Sequence, residues 1–181
     1  MPAQDLQHVP AGCNIFLDTN ILLYGITAQS RSAQTLLERC STEEVTGIAS
    51  YDVLAEATHR LMLIEAQQKG LFAEARPCAT CGMTRDRGPR FLSEHPQQVR
   101  TLTDYWRYIL RILELNILWL PSEESIHRSA NRERQAHGLL TNDSLIVATM
   151  REYAIASIAT ADSQFEGLPN IAVYKPSDLA H

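Results

Sequence analysis

Short runs of apolar and β-favouring residues alternate along this chain with longer stretches of helical period, and that alternation restricts it to a sheet threaded through helices. The short runs are Cys13 to Leu17, Val45 to Ala49, Asn116 to Leu120, Ile155 to Ala159 and Ile171 to Tyr174. Between them, Ala33, Leu36 and Leu37 make one apolar stripe, and Val53, Leu54, Ala57, Leu61 and Ile64 make another. Val99, Leu102, Trp106, Ile109, Leu110 and Leu113 predict one helix from Gln97 to Glu114. Ser122 is placed to cap the next helix and Gly138 to end it. Thr141-Asn142-Asp143 opens the last one. The expectation is an α/β fold with a mainly parallel five-stranded sheet. At 181 residues and 45% hydrophobic content, the chain suits one globular domain.

One interruption breaks the alternation. From Lys69 to Arg100 six basic residues meet three acidic ones, with Pro and Gly interspersed, so this stretch is net +3. The whole chain is net −5, which leaves −8 outside it. The stretch of about 68–100 is expected to be a loop-rich insertion within the single domain. The acidic balance excludes a surface coated with phosphate-binding cations.

No apolar run approaches the ~20 residues needed to cross a bilayer, and the polar residues Met1 to Pro10 are not a secretory leader. A reducing cytoplasm with free thiols is therefore expected for the four cysteines. Cys78 and Cys81 have the spacing of half a zinc ribbon, and His95 offers a third ligand. A second cysteine pair is missing, so two free thiols are favoured over structural zinc.

Four carboxylates hold comparable positions. Asp18 follows the first strand, Glu56 lies on the helix after the second, Asp143 opens a helix, and Asp162 follows the fourth strand. Singly, each has an ordinary explanation: Asp18, Asp143 and Asp162 as helix caps, Glu56 as a solvated flank. Together they converge, because a parallel sheet puts all its strand exits on one edge. Four carboxylates there repel one another unless a cation is shared, and hard oxygen donors suit Mg²⁺ or Mn²⁺.

These residues resemble the PIN-domain ribonucleases, most closely the VapC-type toxins of toxin–antitoxin pairs. The resemblance is carried by Asp18-Thr19-Asn20 after an apolar strand, Glu56 after Ser50, Asn142-Asp143 opening a helix, and Thr160-Ala161-Asp162 with Phe165. It implies a three-layer α/β/α sandwich and a metal-dependent endoribonuclease, with Asp18, Glu56, Asp143 and Asp162 as catalytic and metal-binding residues. Thr19, Asn20, Ser50, Asn142 and Thr160 are the expected supports. RNA is the implied substrate, an antitoxin protein and a second copy the implied partners. Arg85, Arg87 and Arg90, or Arg128 and Arg132, are expected to track RNA phosphates. The Leu102, Trp106 and Ile109 stripe is core first and a dimer or antitoxin surface second.

Two rivals stand beside this. A non-catalytic RNA-binding or scaffold protein on the same fold would have no use for all four acids. A receiver-like phosphoacceptor module would account for Thr160 and Lys175-Pro176. It needs an acidic pair at the first strand and an Asp after the third, where Asp18 stands alone and Leu120-Pro121-Ser122 follows.

Overall fold

The computed structural model describes residues 3–72 and 88–179. The chain divides into two compact units, unit 1 of residues 1–57 and 111–181 and unit 2 of residues 58–110.

Unit 1 is built on one sheet of six strands in the order β1-β6-β5-β2-β3-β4, and every neighbouring pair is parallel. The strands are β1 (Gln4–Asp5), β2 (Asn14–Leu17), β3 (Thr46–Ser50), β4 (Ile117–Leu120), β5 (Ser157–Ala159) and β6 (Ala172–Lys175). Five of them are the apolar runs of the sequence. The expected five-strand count needs correction, because β1 adds a sixth. Its two residues have no buried hydrophobic pattern of their own, and pairing of Gln4 with Tyr174 and Asp5 with Lys175 makes the strand.

Helices α1 (Thr19–Ile26) and α2 (Arg31–Ser41) carry the chain from β2 to β3, while α7 (Glu124–His137) and α8 (Thr141–Glu152) return it from β4 to β5. The two crossovers step in opposite directions, so right-handed connections put them on opposite faces of the sheet. Close approach fixes the first layer: a Cβ on Gly47 of β3 would lie 2.8 Å from Cys40 Sγ on α2 and 3.1 Å from Leu17 Cδ1. On the second layer Ile126 and Ala130 of α7 pack with Leu145 and Ala148 of α8. Gly138 ends α7 at φ 70°, in the left-handed region that favours glycine. Two short 3₁₀ turns, Leu6–His8 and Ser163–Phe165, complete the unit.

Helix α3 (Tyr51–Gln68) begins in unit 1 and continues into unit 2. There α4 (Gly88–Glu94), α5 (Pro96–Val99) and the start of α6 (Asp104–Leu113) follow. Unit 2 has its own core of Ala66, Leu92 and Leu102, with Met62, Leu63, Phe72, Phe91 and Tyr105 packed against it. Its polar clasp is Glu65, only 4% exposed. The Glu65 carboxylate accepts the backbone N–H of Thr103 at 2.8 Å and of Tyr105 at 2.7 Å, and pairs with Lys69 at 2.6 Å. Burial alone would raise this carboxyl; the Lys69 and backbone hydrogen bonds overcome that and lower it to about 2.

Part of the expected loop-rich stretch is helical, since α4 and α5 lie within it, and the helix expected over Gln97 to Glu114 is two helices parted at Arg100 to Thr103. The Leu102 and Ile109 positions of the stripe are buried, whereas Trp106 is 48% exposed. Cys78 and Cys81 lie outside the described residues, as do Arg85 and Arg87. No helix among the described residues is long and apolar enough to cross a membrane.

Candidate active site

The carboxyl edge of the sheet gathers the acids because of strand register. Phe16 pairs with Ile48 and with Ile158, and Leu17 pairs with Ala159. The next residues on β2 and β5, Asp18 and Thr160, therefore leave the sheet side by side. Asp18 N–H donates to Ala159 O at 3.1 Å, extending the ladder by one step.

Asp18 is the buried member, 6% exposed. It stands at the N-cap of α1 but makes no side-chain cap hydrogen bond. Its Oδ2 instead accepts the Thr160 hydroxyl at 2.6 Å and the Asn20 side-chain amide. Thr160 Oγ1 in turn accepts the Asp162 N–H at 2.9 Å, and Asn20 Oδ1 accepts the Ala161 N–H at 2.9 Å. Both exits are thereby tied together, with the Asp18 carboxylate held at the knot. Glu56 is held from two other elements: its Oε2 accepts the Thr19 hydroxyl at 3.2 Å and the Asn142 amide at 2.8 Å. Asn142 belongs to α8, next to Asp143.

Burial pushes the Asp18 carboxyl up to about 6; the Thr160 hydroxyl and the Thr19 backbone N–H oppose the rise, and the charges of Glu56 and Asp143 add to it. Asp143 is also raised, by burial first and then by Asp162 and Glu56. Each of the four acids is thus within electrostatic reach of at least one other. Burial and like charge thus act together to raise both Asp18 and Asp143.

The helix-cap explanation separates the acids. Asp143 lies in the first turn of α8, whose N-cap is Leu140, with no side-chain cap bond. Only Asp162 caps, accepting the Gln164 N–H at 2.8 Å. The Ser50 hydroxyl accepts the Val53 N–H at 3.4 Å, at the start of α3. The arginines are engaged elsewhere: Arg90 with Glu94, Arg128 with Glu124, Arg132 with the Ser129 hydroxyl.

As they stand, no three His, Cys, Asp or Glu side chains among the described residues are placed to hold a metal ion. The donor set nonetheless fits a hard divalent cation in kind and charge, being carboxylate oxygens whose charges help to raise Asp18 and Asp143.

Beside these acids lies a group that sequence reasoning passed over. Asp52, one helical turn before Glu56 on α3, accepts the Ser122 hydroxyl at 3.0 Å, and Ser122 Oγ is 3.0 Å from His127 Nε2. The i, i+4 spacing to Glu56 was the available signal. Ser122, expected to cap α7, is spent on Asp52, and the N-cap is Glu123.

Comparison with known proteins follows the same lines. Residues 15–170 match the family model described as PIN domain. No curated protein is found by sequence similarity. Among solved structures, a chain of VapBC2 from Rickettsia felis, bound to a DNA fragment from their promoter, aligns at TM-score 0.52 and 18% identity. The alignment covers 90% of this chain and 98% of that one. A toxin–antitoxin complex from Klebsiella pneumoniae aligns at TM-score 0.49 and 17% identity over 87% and 95%. The likeness of fold rests on the first.

Proposed function

Since this chain belongs to the PIN domain family, we propose that it is a metal-dependent nuclease that hydrolyses RNA phosphodiester bonds, as the toxin of a toxin–antitoxin pair. The observation that carries this is the convergence of Asp18, Glu56, Asp143 and Asp162 from four elements into one charge-coupled group. Structural roles alone do not account for it, since Asp18 and Asp143 cap nothing and both are raised by burial.

Asp18 and Asp162 would hold a Mg²⁺ or Mn²⁺ ion, with Asp143 binding it directly or through water, and Glu56 as a further ligand or the group that orients the water. Such an ion, when bound, supplies a water acidified to a nucleophile and neutralises charge at the leaving oxygen. The chain's own part is positioning. Thr160 and Asn20 fix the Asp18 carboxylate, and Thr19 and Asn142 fix that of Glu56. Arg128 and Arg132 on α7 contribute phosphate contacts by exchanging their present partners for RNA.

In this reading the stretch of about 68–100 is an insertion within one functional domain. An antitoxin and a second copy of the chain are its protein partners, and a reducing cytoplasm is its setting.

The test is cleavage of a mixed RNA pool by purified protein with Mn²⁺. Cleavage that stops on chelation and is absent from Asp18→Asn supports the assignment; full activity of Asp18→Asn, or activity indifferent to chelation, overturns it.

A further inference from the structure

Where β3 and β4 end, unit 1 holds an aromatic pair that the proposed chemistry does not use. The Tyr51 ring stacks on Trp119, with centroids 6.0 Å apart and planes inclined by 28°. Tyr51 is 52% exposed. The ring is braced by its neighbour in sequence: Asp52 is bonded to Ser122, three residues after Trp119, and Ser122 to His127. Two adjacent residues of α3 thus grip two nearby residues at the exit of β4.

Position and charge say what it would meet. Continuing the register of Phe16 with Ile48 by two residues sets Ser50 opposite Asp18, so α3 begins at the strand exit neighbouring the acid-bearing one, with the Tyr51 ring stacked toward β4, on the other side of β3 from β2. Asp52 precedes Glu56 by one turn on the same helix face. A polymer whose phosphate reaches the acids must pass its neighbouring nucleotides over such flanks. The net charge of −5 gives this polymer little phosphate attraction. Base stacking on an aromatic ring is indifferent to that charge and accepts any base.

We propose that Tyr51, backed by Trp119, is a stacking platform for an unpaired base of single-stranded RNA beside the scissile phosphate. This rests on the nuclease assignment. A base already stacked in a duplex is not available to it, so the platform selects unpaired RNA.

The experiment uses the full chain and short RNAs of one sequence, carrying 2-aminopurine at successive positions. In chelator, the wild type quenches the probe at one position or two adjacent ones, and the same RNA annealed to its complement shows no such quench. Tyr51→Leu keeps bulk but removes the π-face: the quench is lost, and RNA affinity falls roughly tenfold. In Mn²⁺ the same variant raises KM by a similar factor with kcat near wild type. Tyr51→Phe restores all of these. Uniform quenching along the RNA, or a Tyr51→Leu protein that quenches and binds like wild type, overturns the platform. If the wild type cleaves nothing in Mn²⁺ yet the quench appears and depends on Tyr51, the nuclease assignment fails and the platform stands. If the wild type cleaves but Tyr51→Leu does so with unchanged KM, the reverse holds.

Discussion

At Asp18 the demands of stability and of function oppose each other. A carboxyl raised from 3.8 to about 6 by burial is one the fold prefers protonated. Its contribution to stability is present below pH ~4 and is lost as pH rises through about 6, a loss of roughly 2–3 kcal/mol by neutrality. Two outcomes follow. In chelator, thermal unfolding shows the protein losing stability between pH 4 and 7, and Mg²⁺ or Mn²⁺ restores it at the upper end; a melt that is flat across that range would refute this. Asp18→Asn in chelator at pH 7.5 unfolds at higher temperature than wild type, because the amide keeps an acceptor for Thr160 without the buried charge, while its metal-dependent cleavage is gone. Thr160, fully buried, gives a third test. Thr160→Val leaves Asp18 Oδ2 and the Asp162 N–H each short of a partner, at about 1–3 kcal/mol, and slows cleavage. Thr160→Ser restores both, as measured by melts and initial rates.

Among the elements, α3 shows how position along a helix divides labour. Its first two turns carry the Tyr51 ring, Asp52 and Glu56, while Glu65, further along, serves unit 2 by clasping the start of α6. The Glu65 carboxyl is depressed to about 2, so the stability it brings is present above pH ~4.5 and is lost as pH falls toward 2. Glu65→Ala should cost about 2–3 kcal/mol and speed amide hydrogen exchange over Thr103 to Tyr108; unchanged protection there would sink the clasp. This clasp also explains where helical periodicity misleads. The apolar spacing from Val99 to Leu113 reads as one helix, because spacing reports which residues face a core. It carries no information about Glu65, 38 residues before Thr103, which takes the N–H groups around the break. Strands β2 to β6 were legible for the opposite reason: each is a short apolar run between turn residues, needing no distant partner to be seen.

For the molecule as a whole, charge is the readable property and connectivity the hidden one. A net charge of −5 predicts that RNA affinity depends weakly on salt, with a log–log slope of magnitude about 1–2; a slope of 5 or more would show phosphate neutralisation in command. The four acids could be picked out in sequence because strand exits share an edge. Thr19, Asn20, Asn142 and Thr160, which hydrogen-bond to Asp18 or Glu56, were named with Ser50 by the family resemblance. Asp52 was signalled only by its spacing to Glu56, and Ser122 and His127 not at all, since each has an ordinary local role and the β3–β4 pairing brings them together. Strand β1 was invisible because it exists only by leaning on β6. That dependence bears on how the protein is made. Strand β2 lies between β3 and β5, and its partner β5 is more than a hundred residues later in the chain. Asp18 therefore leaves the ribosome long before Thr160 and Asp162 do. During synthesis the early half of the sheet waits with an open edge, and the site cannot close until β5 emerges.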